Sequence, residues 1–503
     1  MLESLNLSKT DFLAMAEVGK VIPITLRIFG GNETPVGLFE KISAGKSGTF
    51  LLESAEQGVW SRYSFIGVSS RSNLISTGGR LASSDFAKLF PTADHEYDSA
   101  LVAVDAIQKA WGFESVAGLP PLTSGLVGLF SWDVIREIEK LPTPVEPDYN
   151  HPLVHLEMVQ DVIVVDHKDN CLLLVSNVYC DTEIAFELGY SKAVERIEKM
   201  YELVSQAATP RFTSIKTAED TETKSNFSRE AFLNAVEFAK GYVRIGDVFQ
   251  VVLSQRFDMQ VTAKPIDVYR VLRSLNPSPY MYLLNFEDQN GPYAVIGSSP
   301  EALVKVSGGR AIMHPIAGSR PRGSSAKEDN DLAESLLGDQ KERAEHLMLV
   351  DLARNDLLKV SAPDSIKVTE FMKIERFSHI MHLVSTVESI LEAGSSPIDV
   401  LKATFPAGTL SGAPKPRALE IISELEPTNR GIFGGVVGYL DFAGNADLAI
   451  AIRTAFVRDD LGHVQAGAGI VLDSDPESEY IETINKASAV ISAIKQANAM
   501  FGH

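Results

Sequence analysis

A series of short strand-like runs between residues 280 and 316 constrains the fold of this chain more than any other feature. Two polar turn segments, Asp288-Gln-Asn-Gly291 and Ser307-Gly-Gly309, separate the runs. Turns this short join neighbouring strands in antiparallel order, because a parallel connection needs a crossover of a dozen or more residues. Another hairpin is predicted where Lys168-Asp-Asn170 separates two apolar runs. Large antiparallel sheets are therefore expected.

Helical patterns are interspersed with these strands. One covers residues 340–358, and another begins at Pro476 and extends to about Ala499, with Asp475 as its N-cap. Strands and helices do not alternate regularly, as they would in a parallel α/β protein. The sequence predicts an α+β fold with large antiparallel β-sheets that pack as a sandwich and are surrounded by helices.

The clearest change in composition occurs at residues 206–226, which are polar, rich in threonine and nearly without large apolar side chains. Such a stretch is typical of a linker or a long exposed loop. It divides the chain into an N-terminal part, residues 1–205, and a C-terminal part, residues 227–503. The two parts are expected to interlock.

Bulk properties exclude several functions. The net charge of −20 argues against nucleic acid as a partner, although a local cluster of cations or a metal ion could still bind a small anion. No run reaches the roughly 18 apolar residues of a membrane span, and the N-terminus lacks signal-peptide features. Cys171 and Cys180 stand at opposite ends of one strand-like run, too far apart for a disulfide. We expect a cytoplasmic protein with reduced, partly buried cysteines and no membrane contact.

Two carboxylates on predicted helices are candidates for chemistry. Glu345 shares a helix face with apolar residues, so it must be paired, protonated, bound to a cation or reach water through its flexible stem. Glu482 and Lys486 stand four residues apart, and the plain interpretation of that spacing is an exposed ion pair.

Three glycine-bearing segments, residues 405–415, 434–439 and 465–470, permit either close approach of a ligand or merely tight turns and close sheet packing. None fits a phosphate loop or a dinucleotide fingerprint. His382, with His379 nearby, is either a proton-transfer group or structural. Arg453 interrupts an apolar run, and a buried arginine normally faces a carboxylate of the protein or of a ligand. These features indicate a magnesium–carboxylate enzyme that acts on an unnamed small anion.

The same segments match, in order, the motifs of the chorismate-utilising enzymes, which the chain resembles over essentially its whole length and most densely from residue 225 to 498. The matching segments are residues 247–251, 297–301, 315–323, 345–356 and 408–415. Within that family the chain resembles the large subunits that form anthranilate. Ala317 replaces the nucleophilic lysine of aminodeoxychorismate-forming subunits, and Gln250 replaces the lysine that activates water in isochorismate and salicylate synthases.

The resemblance implies a lyase that converts chorismate and ammonia to anthranilate and pyruvate, the first committed step of tryptophan biosynthesis. Two other functions stay open: an enzyme that forms aminodeoxyisochorismate or aminodeoxychorismate, and a tryptophan-sensing subunit without activity. Ammonia is implied to come from glutamine through a separate amidotransferase subunit (component II), which implies a hetero-oligomer, a heterotetramer.

The resemblance also assigns roles to individual residues. Glu345 and Glu482 would bind one Mg²⁺, and Glu301 would be the general acid. His382, Gln250 and Thr409 complete the implied catalytic set. The implied substrate-binding residues are Gly318, Ser319, Tyr439, Arg453, Gly467, Ala468, Gly469 and Lys486. Ser319 stands where the family usually has threonine, and because it keeps the hydroxyl we expect the substrate contact to survive.

Residues 51–54, 62–67 and 276–281 resemble the family's site for feedback inhibition by tryptophan. That site lies in the N-terminal part and across its contact with the C-terminal part. The implied tryptophan contacts are Ser54, Pro279, Tyr280 and Met281.

Overall fold

The computed structural model describes residues 5–31, 33–43, 45–54, 62–77, 80–92, 97–113, 118–142, 147–182, 185–207, 213–216, 222–376 and 380–502. His379 lies outside the described residues. Helices and antiparallel strands occur in both halves of the chain, so the α+β prediction is confirmed.

The helices of the described residues are α1 Lys9–Met15, α2 Pro35–Ser43, α3 Ala100–Ala110, α4 Phe186–Ser205, α5 Arg229–Ile245, α6 Pro265–Leu275, α7 Ala326–Gly338, α8 Gln340–Leu358, α9 Pro397–Thr404, α10 Gly408–Ser411, α11 Lys415–Leu425 and α12 Pro476–Phe501. Short 3-10 helices cover Phe86–Leu89 and Trp132–Glu137.

The strands of the same residues are β1 Lys20–Phe29, β2 Thr49–Glu53, β3 Tyr63–Thr77, β4 Arg80–Ala82, β5 Gly112–Phe113, β6 Gly125–Phe130, β7 Val154–Asp166, β8 Cys171–Tyr179, β9 Lys224–Ser225, β10 Gln250–Gln260, β11 Tyr280–Asp288, β12 Gly291–Ser299, β13 Ala302–Ser307, β14 Arg310–Met313, β15 Ile316–Pro321, β16 Lys367–Arg376, β17 Ile380–Ile390, β18 Gly412–Ala413, β19 Val436–Asp441, β20 Ala446–Ile450, β21 Thr454–Arg458 and β22 Leu461–Ile470.

The predicted hairpins are present. β7 and β8 pair antiparallel up to the turn at residues 167–170, which includes the predicted Lys168–Asn170 segment. β11 pairs with β12, and β13 with β14, across the two predicted glycine turns. Among the described strands, β1 and β5 form the one parallel pair. The remaining pairs are antiparallel, as short connections between strands require.

The two halves of the chain share hydrogen-bonded strands. β6 of the N-terminal half pairs with β19 of the C-terminal half, with Gly128 opposite Gly438. A side chain at Gly128 would collide with the carbonyl of His155 on β7, so glycine is needed where these strands meet. β2 likewise pairs with β11. Both parts therefore contribute to one connected network of strands, and the expected interlocking is observed.

The helix α12 has the start predicted from sequence. The Asp475 carboxylate accepts a bond of 2.9 Å from the Ser478 N–H, and Pro476 occupies the first turn, where its missing N–H costs nothing. The helix buries a stripe of small and apolar residues that includes Ala487, Val490 and Ile494. That stripe packs against α6 and β22, so the polar face at the start of α12 is fixed relative to the sheet.

The predicted linker follows α4, which ends at Ser205, and near its end it forms the short strand β9. β9 pairs with β10, so the last residues of the predicted linker join the sheet. Cys171 and Cys180 are free thiols and both are buried. In the part of the chain that the structure describes, no helix is long and apolar enough to cross a membrane.

Candidate active site

The candidate site lies where the β10–β22 pair meets α10, β15, β17 and the outer faces of α8 and α12. Gln250 is the first residue of β10, and the register of the sheet places its neighbour Val251 opposite Ile470. A Cβ added to Gly469 would lie 2.3 Å from Gln250 Nε2. Gly469 therefore lacks a side chain so that the amide of Gln250 can lie across β22, and this glycine serves close packing.

A carboxylic acid lies at the end of β12. Thr409 Oγ1 donates a hydrogen bond of 3.0 Å to Glu301 Oε1. Burial raises the pKa of Glu301 from 4.5 to about 7, while the Thr409 bond and the charge of Lys486 act in the opposite direction. Glu301 is therefore a side chain that holds a proton close to neutral pH and can release it, as a general acid must.

A buried ion pair fixes the turn that carries Thr409, the hydrogen-bond partner of this acid. The Arg430 guanidinium donates to both carboxylate oxygens of Glu426, at 2.8 and 2.6 Å. The same guanidinium bonds the carbonyls of Leu410 and Val252, at 2.7 and 2.8 Å. Because Leu410 follows Thr409 and Val252 belongs to β10, one buried cation holds the α10 turn against the strand that begins at Gln250.

Four carboxylates face one another across α8 and α12. Glu345 as a residue is exposed to solvent, but partial desolvation of its carboxyl raises its pKa. The charges of Glu342 and Glu482 raise this pKa further. On α12, burial and the charge of Glu482 raise the pKa of Glu479. The carboxylates of Glu345 and Glu479 therefore lie in a region of excess negative charge, which a cation would relieve.

The side chain of Lys486 connects these groups. Its Nζ lies 2.7 Å from Glu482 Oε1 and donates a bond of 3.0 Å to the carbonyl of Gly467. Its charge also reaches the carboxyls of Glu301 and Glu345, whose pKa values it lowers. The predicted ion pair is thus present, but it belongs to a cluster and not to an isolated helix face.

His382 and the 317–319 segment form the opposite wall. His382 on β17 pairs with Ser319 on β15, next to an irregularity after Ala317. The His382 Nδ1–H donates to the Gly318 carbonyl at 2.9 Å, which leaves the lone pair on Nε2. Burial and the charge of Arg453 lower the pKa of His382, so the ring is neutral at pH 7. Gly318 itself has φ +66 and lies against Glu342.

Arg453 and Tyr439 occupy the far end of the site. Arg453 adopts φ +49, and burial lowers its pKa. Among the described residues no carboxylate pairs with it, and its guanidinium donates to Asn276 Oδ1 at 3.3 Å. Tyr439 lies on β19 opposite Asp447, and burial followed by the charge of Asp447 raises its pKa well above the ordinary value. A partly buried guanidinium without a carboxylate partner suits an anionic ligand.

The donors suit a hard divalent ion better than a metal such as zinc. Among the described residues no three histidine, cysteine, aspartate or glutamate side chains converge to enclose a metal ion. Mg²⁺ commonly uses one or two carboxylates and completes its coordination with substrate oxygens and water. Glu345 and Glu482, exposed at the mouth of a region of excess negative charge, fit that requirement.

The residues of the predicted effector site also lie together. Met281 on β11 is paired with Glu53 on β2, which places Ser54 beside Tyr280. Ser54 Oγ is buried and has no hydrogen-bond partner among the described residues. Glu53 forms an ion pair with Arg273, and the Tyr280 hydroxyl donates to Asp447 Oδ1 at 3.0 Å. An orphaned buried hydroxyl beside a buried carboxylate suits a polar ligand.

Sequence reasoning missed three residues of this region. Glu342 and Glu479 each precede a predicted metal ligand by three residues, so helical spacing alone could have identified them as neighbours on the same face. Asn276 belongs to the segment that resembles the tryptophan site, but nothing in the sequence linked it to Arg453, which is 177 residues away in the chain.

Comparison with known proteins agrees with this geometry. Residues 49–492 match the family of chorismate binding enzymes. The chain therefore belongs to the chorismate-binding enzyme family.

Relatives with high identity define the branch. The chain is 47% identical to anthranilate synthase component 1 of Arthrobacter globiformis over 501 residues, which covers 97% of this chain and 93% of the relative. It is 44% identical to the protein of that name from Aquifex aeolicus over 503 residues, covering 98% of this chain and 99% of the relative. These similarities place it in the anthranilate synthase component 1 branch of the family.

Solved structures share the fold. The crystal structure of anthranilate synthase component I from Streptococcus pneumoniae superposes with a TM-score of 0.74 at 33% identity, covering 92% of this chain and 98% of the other. The menaquinone-specific isochorismate synthase of Escherichia coli gives a TM-score of 0.70 at 17% identity, covering 97% of this chain and 98% of the other, and demonstrates the fold alone.

Proposed function

We propose that this chain is the chorismate-converting subunit of an anthranilate synthase, which forms anthranilate and pyruvate from chorismate and ammonia. The observation that carries the proposal is Glu301, a buried acid with a pKa of about 7 that accepts a hydrogen bond from Thr409 and lies within reach of the charge of Lys486. Departure of a ring hydroxyl needs such an acid. High identity to proteins named anthranilate synthase component 1 supports the same assignment.

Substrate would be held at two ends. The ring carboxylate would lie near Lys486, the Gly467–Gly469 backbone, Gly318 and Ser319. The enolpyruvyl carboxylate would pair with the Arg453 guanidinium, which has no carboxylate partner among the described residues. Tyr439 would lie beside it. Two anionic groups bound at opposite ends fix the ring between Glu301 and His382.

Glu345 and Glu482 would hold one Mg²⁺. The support for this assignment is that the negative charge of Glu482 contributes to the raised pKa of Glu345, an effect that a divalent cation would reverse. When bound, the ion would stabilise negative charge on the substrate's ring carboxylate.

The first step replaces the C4 hydroxyl by an amino group at C2. Ammonia attacks C2 with its own lone pair, the two conjugated ring double bonds shift, and the C4–O bond breaks. Glu301 gives its proton to the departing oxygen, which leaves as water, and the ammonium group formed at C2 gives up a proton that restores the Glu301 acid. Gln250 cannot accept a proton from water, and Ala317 offers no amine nucleophile, so these two positions favour ammonia over water or a covalent lysine route.

The second step removes pyruvate and makes the ring aromatic. The bond between C3 and the enolpyruvyl oxygen breaks while C2 loses its proton. The neutral ring of His382 carries a lone pair on Nε2, and we assign it a supporting role in this proton transfer.

Ammonia would come from glutamine through a second, amidotransferase subunit in a hetero-oligomer, a heterotetramer. Support comes from the relatives, whose names carry the designation component 1. Phe249 is 76% exposed directly before Gln250, and Leu472 is 47% exposed shortly after β22, so apolar surface lies close to the strand ends that form the site. We place the enzyme in the cytoplasm, where the thiols of Cys171 and Cys180 stay reduced.

The proposed division of labour follows the two parts of the chain. Residues 1–205 would supply much of the tryptophan site, residues 206–226 would be a connecting segment, and residues 227–503 would carry chemistry. Tryptophan would bind at Ser54, Pro279, Tyr280 and Met281 and inhibit the enzyme. The orphaned Ser54 hydroxyl beside the β2–β11 pair supports this location.

The product of an ammonium-dependent assay tests the proposed function. Purified protein with chorismate, Mg²⁺ and ammonium at alkaline pH should produce fluorescent anthranilate and an equal amount of pyruvate, and omission of ammonium should stop both. Product mass decides between alternatives. Aminodeoxyisochorismate, aminodeoxychorismate or isochorismate as the sole product, or no product at all, would contradict the proposal.

Tryptophan should raise the melting temperature of the wild-type protein but not that of Ser54→Phe, whose ring would fill the buried space around Ser54 Oγ. Free tryptophan at 100 times its Kd would add about 2.7 kcal/mol to the free energy of unfolding. Ser54→Ala removes only the hydroxyl and should give an intermediate shift. Equal shifts in wild type and Ser54→Phe would refute the site, provided that the Ser54→Phe and Ser54→Ala variants retain activity without tryptophan.

A further inference from the structure

We propose that Asn276 is a positioning residue that aims the Arg453 guanidinium at the carboxylate of the substrate. The inference rests on the proposed function and adds a residue that has no part in it. Asn276 follows α6 and begins the loop that leads into β11. The strand that follows this loop, β11, pairs with β2.

Arg453 needs an external support. Its backbone is in the left-handed region, at φ +49, which residues other than glycine seldom adopt. Its guanidinium is partly buried, and among the described residues it has no carboxylate partner. Among the described residues, the hydrogen bond that it donates to Asn276 Oδ1, at 3.3 Å, is the contact that orients the guanidinium.

Asn276 is itself held on several sides. Its N–H bonds the Leu272 carbonyl at 2.8 Å and so ends α6. Its Nδ2 donates to Ser298 Oγ at 3.2 Å, and Ser298 Oγ donates to the Asn276 carbonyl. A guanidinium can only donate, so the amide must present Oδ1 to Arg453 and Nδ2 to Ser298.

Ser298 fixes both partners at once. It is fully buried on β12, and its N–H donates to the Arg453 carbonyl at 3.1 Å. Its hydroxyl also lies 2.9 Å from Ser278 Oγ, two residues after Asn276. One buried serine therefore connects the backbone of Arg453 with the side chain that orients its guanidinium, so the two cannot shift independently.

A neutral amide suits this task better than a carboxylate would. An amide oxygen accepts one guanidinium bond and leaves the positive charge available to a ligand. An aspartate at the same position would form an ion pair with Arg453 and compete with the substrate's carboxylate. The identity of residue 276 therefore sets how strongly Arg453 can attract substrate.

Steady-state kinetics with chorismate, Mg²⁺ and ammonium test the inference. Asn276→Ala should raise KM for chorismate about tenfold while kcat changes less than about threefold, as loss of a hydrogen bond to a charged group predicts. Asn276→Asp, nearly identical in shape, should raise KM further. Asn290→Ala is the control, because Asn290 lies in the turn at the far end of the same β11–β12 hairpin.

A double-mutant cycle distinguishes positioning from a general loss of structure. In an Arg453→Ala background, Asn276→Ala should leave kcat/KM for chorismate unchanged, because the group that it positions is absent. Additive losses, an unchanged KM in Asn276→Ala, or wild-type KM in Asn276→Asp would each overturn the inference. If the wild-type protein forms no anthranilate, the proposed function fails, whereas anthranilate formation with an unaffected KM in the Asn276 variants defeats this inference alone.

Discussion

Glu345→Gln is expected to lower Mg²⁺-dependent turnover by about 1000-fold or more while the protein stays folded. A metal ion that stabilises substrate charge contributes several kcal/mol to the barrier, and each 1.36 kcal/mol is a factor of ten in rate. The amide keeps the size of the side chain but loses the charge that would bind the ion. Glu345 is exposed and makes no ion pair among the described residues, so the fold does not depend on it.

Two measurements check this result. Titration calorimetry should show weaker Mg²⁺ binding by Glu345→Gln, and thermal unfolding should give a melting temperature close to that of wild type. Asp351→Asn is the matched control, because it removes one negative charge from the exposed side of the same helix, where Asp351 pairs with Arg354. Full activity of Glu345→Gln, or equal loss in Asp351→Asn, would rule out the assignment of Glu345 to the metal.

Glu301→Gln is expected to lower kcat by about 10²- to 10⁴-fold, the usual contribution of a general acid. Glutamine keeps a hydrogen-bonding side chain opposite Thr409 but cannot protonate the departing hydroxyl. KM for chorismate should change little, because Glu301 contacts the departing hydroxyl of the substrate and not a carboxylate that anchors it. Glu287→Gln, an exposed change on β11, serves as the control. A kcat within threefold of wild type would exclude Glu301 as the acid.

The raised pKa of Glu301 gives this prediction a second readout. The folded state holds the proton up to about pH 7, whereas in the unfolded chain the group titrates near 4.5. Between these values the folded state binds more protons, so the contribution of Glu301 to stability falls as pH rises through this window. The difference in unfolding free energy between Glu301→Gln and wild type should therefore shift in favour of the variant as pH rises from 5 to 8. The rate of wild type, assayed at constant un-ionised ammonia, should fall above about pH 7.

Local sequence signals predicted local structure well. The helix at residues 340–358 has the predicted bounds, and Pro476 begins α12, because capping residues and periodic apolar positions act within a few residues. The hairpin turns were equally visible, since glycine and polar turn residues interrupt apolar runs. Spacing also placed Glu482 and Lys486 on one face, where they form an ion pair.

Properties that depend on distant parts of the chain could not be predicted in this way. The pKa of Glu301 is raised by burial in the folded chain, which the sequence around residue 301 does not encode. The bond between Arg453 and Asn276 depends on how β12 and β21 pair across the sheet. Motif resemblance could name the residues of the site, but their burial and charges had to come from the structure.

The pairing of β6 with β19 affects how this protein emerges from the ribosome. β6 is complete by residue 130, but its partner ends at residue 441, so more than 300 residues are synthesised before this edge can be covered. Until then the nascent chain presents an apolar strand edge, the kind of surface that pairs wrongly with other chains. Productive folding of the first half therefore depends on protection of this edge during translation.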